Sequence, residues 1–206
     1  MSGPDLDSAY ALNSLDDTKR MYADWADSYD QTFVADHSFV AHTHVAAHFV
    51  ASRGKGPILD FGAGTGILGA QLAKHQTYVI DALDLSPEML AVAVRKAVYR
   101  SLIAGNLLDD LTLDQRYDGI VSSGTFTHGH VGPEALDALL NVANPGAQFA
   151  LSINAKHFES HGFAAAFERL APQITDLHLP EIRLYADDAK GPHKDDMGFC
   201  ALFRKA

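Results

Sequence analysis

The run Ile58-Leu59-Asp60-Phe61-Gly62-Ala63-Gly64-Thr65-Gly66 constrains this chain more than any other. Apolar residues lead into an acid, glycines follow at alternate positions, and an apolar helix begins at Ile67. A buried strand must end and a helix must start within a few residues. Glycine suits that turn because it tolerates positive φ and puts no Cβ between the backbone and an approaching ligand. The N–H-rich turn is therefore read as a cofactor cradle. A dinucleotide fingerprint, G-x-G-x-x-G, needs its third glycine where Ile67 stands. The spacing here is G-x-G-x-G, at Gly62, Gly64 and Gly66. The next strand, Tyr78 to Leu83, runs into Asp84, the usual place for a carboxylate that holds ribose hydroxyls.

The rest of the chain alternates strands and helices. Strands are expected at 58–61, 78–83, 101–104, 117–122, 147–154, 180–186 and 197–204, and helices at 66–75, 87–98, 133–143 and 160–171. This predicts an α/β fold, a Rossmann-like seven-stranded sheet that is mostly parallel, with an antiparallel last strand and helices on both faces. With 206 residues, a single domain spanning 1–206 is expected. Residues 1–13 read as a flexible tail, 14–51 as a helical lid and 57–206 as the cofactor-binding core. In the lid, Ser14-Leu15-Asp16-Asp17 reads as the cap of a helix whose Tyr22, Trp25 and Tyr29 share one face. Those aromatics either pack on the core or cover the cofactor.

The net charge of −10, with no Lys/Arg-rich block, argues against a nucleic-acid partner. The single cysteine, Cys200, lies in an apolar run and reads as a core thiol. The acidic N-terminus does not read as a signal peptide, and no apolar run reaches membrane-spanning length. A cytoplasmic protein with no membrane partner is expected.

Further motifs carry a family likeness. Ala82-Leu83-Asp84-Leu85-Ser86-Pro87-Glu88-Met89-Leu90 places an acid before S-P-x-M-L at a helix start. Ile103-Ala104-Gly105-Asn106-Leu107, Tyr117-Asp118-Gly119-Ile120-Val121-Ser122-Ser123 and Asn144-Pro145-Gly146-Ala147 follow in order. Tyr22-Ala23-Asp24-Trp25-Ala26-Asp27-Ser28-Tyr29-Asp30 precedes them. Together they resemble the class I S-adenosylmethionine (SAM) dependent methyltransferases of small-molecule type. The stretch from Gly124 to Leu136, with His128-Gly129-His130-Val131, resembles an uncharacterised methyltransferase-like subgroup that includes the Williams–Beuren-region protein. Asn106 stands where the family commonly has Asp, and Ala147 where it has a second glycine.

The resemblance implies SAM as cofactor and methyl transfer to N, O or S of a small molecule by in-line displacement. Asp60 would orient the SAM amino group, and Gly62, Gly64 and Gly66 would admit the methionine portion. Asp84 would take the ribose, Leu85 or Met89 would pack on adenine, and Asn106 and Leu107 would line its site. Ser122 and Ser123 end the fourth strand at the sheet edge where ligands bind. Tyr22 and Tyr29 are candidates to touch SAM or substrate. His128 and His130, just beyond the fourth strand, are the candidate catalytic residues, as base or as orienting group.

No metal is expected. His44 and His48 have the i, i+4 spacing of a metal pair, but no H-E-x-x-H is present, and these and His37 and His42 read as surface or pocket groups. His157, His161 and His193 follow later strands and read as turn residues or substrate contacts. Two rivals stay open, a SAM-binding protein without turnover and an NAD-type oxidoreductase, as does the choice between monomer and homodimer.

Overall fold

The computed structural model describes residues 15–30, 38–109 and 112–206, with backbone only for 15–19. The expected tail over 1–13, the Ser14 cap and residues 31–37 of the expected lid, His37 among them, lie outside the described residues.

Two helices, α1 (Leu15–Trp25) and α2 (Ala41–Ala51), precede the sheet. Then come β1 (Ile58–Phe61), α3 (Ile67–Ala73), β2 (Ile80–Asp84), α4 (Pro87–Ala93), β3 (Ser101–Ala104) and β4 (Tyr117–Phe126). The chain continues through α5 (Ala135–Val142), β5 (Ala143–Asn154), α6 (Ala155–Ser160) and α7 (Phe163–Leu170). It ends in β6 (Ile174–His178), β7 (Glu181–Arg183) and β8 (Met197–Lys205).

The sheet order is β3-β2-β1-β4-β5-β8-β6, with β7 also on β8. Strands β1 to β5 are parallel, and β8 runs antiparallel to β5. β6 and β7 occupy successive stretches of the same edge of β8, with His178 opposite Leu202 and Glu181 opposite Phe199. They fill one lane interrupted at Leu179 and Pro180, so the seven expected lanes are present. β6 itself escaped sequence reading, because only Ile174 of its five residues is buried and no alternation marks it. The expected helix over 160–171 is α7, which starts only after Gly162, whose φ of 75° is left-handed, and the short α6 before it was not expected.

Side chains alternate across the sheet as the strand period requires. Leu59, Phe149, Leu151, Ala201 and Phe203 join the apolar cluster that includes Leu136, Leu139 and Phe163 of α5 and α7. Ile58, Val121, Ala150, Cys200 and Leu202 join the cluster that includes Val45, Phe49, Leu68 and Leu72 of α2 and α3. Cys200 is fully buried, and burial pushes its thiol up to about 12, so it is no nucleophile. The chain leaves β1 toward β2 and β3, then returns to β4 on the other side. The carboxyl ends of β1 and β4 therefore part at a switch point, which opens a crevice.

Phe49 packs tightly beneath β4. A Cβ on Gly119 would stand 2.6 Å from its ring and 2.7 Å from the Lys55 carbonyl. Gly119→Ala should therefore lower stability by about 1–3 kcal/mol through overpacking, read as a fall in the chemical-denaturation midpoint.

Candidate functional site

The crevice is a cavity of about 820 Å³, within the range of roughly 300–1,000 Å³ usual for small-ligand sites. Its walls come from the glycine turn, from the ends of β2, β3 and β4, from the loop after β4, and from the aromatics of and just beyond α1.

At one end Asp84 organises two loops. Its Oδ2 accepts from the Gly64 N–H at 2.7 Å and its Oδ1 from the Ser86 N–H at 2.9 Å. Burial holds its pKa above the usual carboxylate range, against the lowering effect of those backbone bonds. Ser86 in turn caps α4, accepting from Met89 N–H at 3.2 Å, with Pro87 in the first turn. The cap sets the helix start that turns Met89 and Leu85 to the cavity.

The glycines of the turn divide their work. A Cβ on Gly62 would stand 2.0 Å from Thr125 Oγ1, and one on Gly66 2.8 Å from the Tyr99 ring, so neighbouring side chains require both. Gly64 has φ +54° and nothing within 4 Å of where its Cβ would be, so it alone leaves open space for a ligand. Gly66 lies off the cavity wall as the left-handed N-cap of α3. Asp60 lies just behind the wall. Tyr99 donates to its Oδ2 at 2.7 Å, while the buried Oδ1 has no hydrogen-bond partner. Burial, against the lowering effect of the Tyr99 bond and with a contribution from the neighbouring Asp84 charge, raises its pKa to about 7. An orphaned acceptor beside an open cradle fits an adenosyl ligand with a cationic tail.

Other expected contacts fall in different places. Asn106 reaches the wall, but its amide is engaged locally, with Oδ1 accepting from Leu108 N–H at 3.0 Å and Nδ2 donating to Asp109 at 3.1 Å. Leu107 packs into the apolar core instead, next to this turn. Ser123 faces the cavity, whereas Ser122 is fully buried and donates to the Phe61 carbonyl at 2.6 Å. The strand period explains the split, since adjacent residues face opposite sides.

The two readings of the lid aromatics divide by residue. Trp25 is core, while Tyr22 and Tyr29 line the cavity. Their segment is tied down by Asp30, which accepts from Thr65 Oγ1 and from Lys96 Nζ, the latter at 2.6 Å. Asp30 closes the Tyr22 to Asp30 motif, which gave it no role, and no motif flagged Lys96, 66 residues away.

At the far end, His130 donates from Nδ1 to the His128 carbonyl at 2.8 Å, since a carbonyl only accepts. That leaves Nε2 as the lone-pair nitrogen, and it accepts from the Tyr22 hydroxyl at 2.9 Å. Burial lowers the His130 pKa, which favours this neutral form. The His128 ring turns away toward His157 and His161, with ring centroids 5.5 and 6.1 Å distant. A ring nitrogen of each of these three residues lies within 4.8 Å of the other two, a grouping the sequence reading did not assemble. His157 and His161 share the i, i+4 spacing already noted for His44 and His48, and that signal was legible. His128 was not, because it arrives from another strand.

Residues 58–146 match the family described as methyltransferase domain. No curated protein matches the chain. Among solved structures, the N-methyltransferase NodS from Bradyrhizobium japonicum, in complex with S-adenosyl-l-homocysteine, has a TM-score of 0.66 at 17% identity, covering 89% of this chain and 96% of that one. Magnesium protoporphyrin IX methyltransferase from Synechocystis, with bound SAM, has a TM-score of 0.63 at 20% identity, covering 94% and 100%. A TehB-like SAM-dependent methyltransferase from Corynebacterium glutamicum has a TM-score of 0.56 at 22% identity, covering 79% and 88%. The fold is that of the SAM-dependent methyltransferases. Residues 58–146, the span of that family match, carry the glycine turn and Asp84.

The Asp60 carboxyl has a pH signature. Its pKa is about 7 in the fold against 3.8 ordinarily, so the folded chain holds a proton that the unfolded chain has lost. The stability this provides is full below the unfolded value and is lost as pH rises through about 7. Thermal melts of the ligand-free protein from pH 5 to pH 8 should show a larger loss for wild type than for Asp60→Asn. Parallel curves would exclude the raised pKa.

Proposed function

We propose that the protein is a SAM-dependent methyltransferase that methylates N, O or S of a small molecule held in this cavity. The observation that carries the reading is the cavity itself. Gly64 and Asp84 stand at one end, the Tyr22–His130 pair at the other, and both ends share one cavity. The volume suits a nucleoside with a small acceptor beside it. The net charge of −10 disfavours a nucleic-acid acceptor. Within the class we assign the chain to the methyltransferase-like subgroup that includes the Williams–Beuren-region protein, on the likeness of Gly124 to Leu136.

Bound SAM would supply a methyl group on a sulfonium, a good leaving group. The chain's part is then to hold, orient and exclude water. Gly62 and Gly64 offer backbone to the methionine portion, and Asp60 draws its ammonium, directly or through water. Asp84 takes the ribose hydroxyls with the lone pairs its backbone bonds leave. Leu85 and Met89 cover adenine, Asn106 borders it, and Leu107 and Gly66 brace the wall from behind. Ser123, Tyr29 and Tyr22 close the side toward the acceptor, with Ser122 holding the strand end in place. His130 Nε2, aligned by the His128 carbonyl, receives the acceptor's proton through the Tyr22 hydroxyl.

Calorimetric titration should give one-site binding of SAM and S-adenosylhomocysteine and none of NAD. Asp84→Ala should weaken both by at least about tenfold with the fold intact, since it removes a charge-assisted contact set. No binding in a folded sample would overturn the reading. Formation of S-adenosylhomocysteine with a panel of amines, phenols, carboxylates and thiols would then separate an enzyme from a silent binder. With a proton-bearing acceptor, His130→Ala should lower kcat by about 10²-fold or more and leave SAM affinity within a few-fold.

A further inference from the structure

The loop after β4 and the helix after β5 bring together three imidazoles that the methyl-transfer reading leaves without a task. β4 and β5 are neighbours, with Phe126 opposite Ile153 at their carboxyl ends. The chain beyond Phe126 delivers His128, and the chain beyond Asn154 turns directly into α6. Asn154 caps that helix by accepting from the His157 N–H at 3.2 Å, which fixes where His157 starts its side chain. His161 follows one turn later, its N–H bonded to the His157 carbonyl at 3.0 Å. The three rings each present a nitrogen within 4.8 Å of the other two.

Hydrogen bonds define which nitrogens carry lone pairs. His157 Nε2 faces the Val131 carbonyl at 2.9 Å and must donate to it. Its Nδ1 is therefore a lone-pair nitrogen, and it has no hydrogen-bond partner although the residue is only 2% exposed. A buried acceptor left without a donor is destabilising, and a ligand that it binds removes that cost. At His161 the Ser160 hydroxyl gives its one proton to the Lys156 carbonyl at 2.7 Å. It must then accept from His161 Nδ1 at 2.8 Å, which leaves Nε2 as the lone-pair nitrogen. A ring N–H held by a backbone carbonyl or hydroxyl, with the opposite nitrogen free to ligate, is how metal-binding imidazoles are oriented.

We propose that His128, His157 and His161 bind a divalent late first-row metal ion, with zinc as the best match. Three neutral imidazoles suit a borderline ion, and three protein ligands leave a coordination position open. Calcium and magnesium are excluded as occupants because the cluster offers no oxygen ligands. Zn–N bonds of roughly 2.0–2.1 Å draw the three nitrogens together, with buried His157 as the anchor and exposed His161 as the ring with room to move. His157 and His161 belong to the wall of the same cavity. The open position is accordingly available to water or, resting on the methyltransferase reading, to the heteroatom of the acceptor, whose proton the metal would loosen.

The test is calorimetric titration of the tagless, EDTA-stripped full chain with Zn²⁺, paired with Co²⁺ absorption in the visible range, both without SAM. Wild type should take up one equivalent. His161→Ala and His128→Ala should each weaken binding at least tenfold, while the His44→Ala/His48→Ala double variant leaves it unchanged. Failure of wild type to bind one equivalent overturns the site. A loss smaller than tenfold in either single variant also does so, as does loss of binding in the double variant. Because SAM is absent, failure here leaves the cofactor titration standing, and failure of that titration leaves this one standing.

Discussion

The bond from the Gly64 N–H to Asp84 is the interaction on which the site depends. It joins the turn after β1 to the end of β2, two loops whose strands pair but whose tips would otherwise diverge. The same carboxylate bonds the Ser86 N–H, and Ser86 caps α4. One buried group thereby sets both the open glycine and the helix that carries Met89. Burial costs a carboxylate its hydration, and the backbone N–H groups replace it. The arrangement is stiff because neither of its two N–H partners can leave without stripping a buried carboxylate of a hydrogen bond.

Electrostatics divide the cavity into two ends. Asp60 and Asp84 give the cofactor end an acidic character, and burial holds both carboxyls above their ordinary pKa. A cationic ligand there would return to the carboxylates the charge stabilisation that burial removed. At the other end burial lowers the pKa values of the His130 and His157 imidazoles. His130 has both ring nitrogens bonded. A developing sulfide and a departing proton would thus meet surroundings of opposite character, with little repulsion between the two tasks.

The lid is integral to the site, because Tyr22 supplies the hydroxyl that His130 accepts from across 108 residues of chain. Asp30, through Thr65 and Lys96, anchors the same segment to the glycine turn and to the turn that follows α4. Aromatic contact of Trp25 with Tyr22 and Tyr29 stiffens the element between these two attachments. Both ends of the cavity are therefore lined by one piece of chain.

What the sequence by itself determined is local in origin. The apolar run, the glycine spacing and the S-P-x-M-L start each act over a few residues, so the strand–turn–helix units, the acid at Asp84 and the parallel order could be read directly. Period 2 was available too, yet only the register showed that Ser123 faces the cavity while Ser122 faces the core. Tertiary structure alone decided what depends on which strands are neighbours. It gave Gly62 to Thr125 and Gly66 to Tyr99, leaving Gly64 for the ligand. It joined Tyr22 to His130, and it set His128 beside His157 and His161. Such contacts carry no signature along the chain, because their free energy depends on distance in space, and only the packed sheet brings those residues within reach of one another.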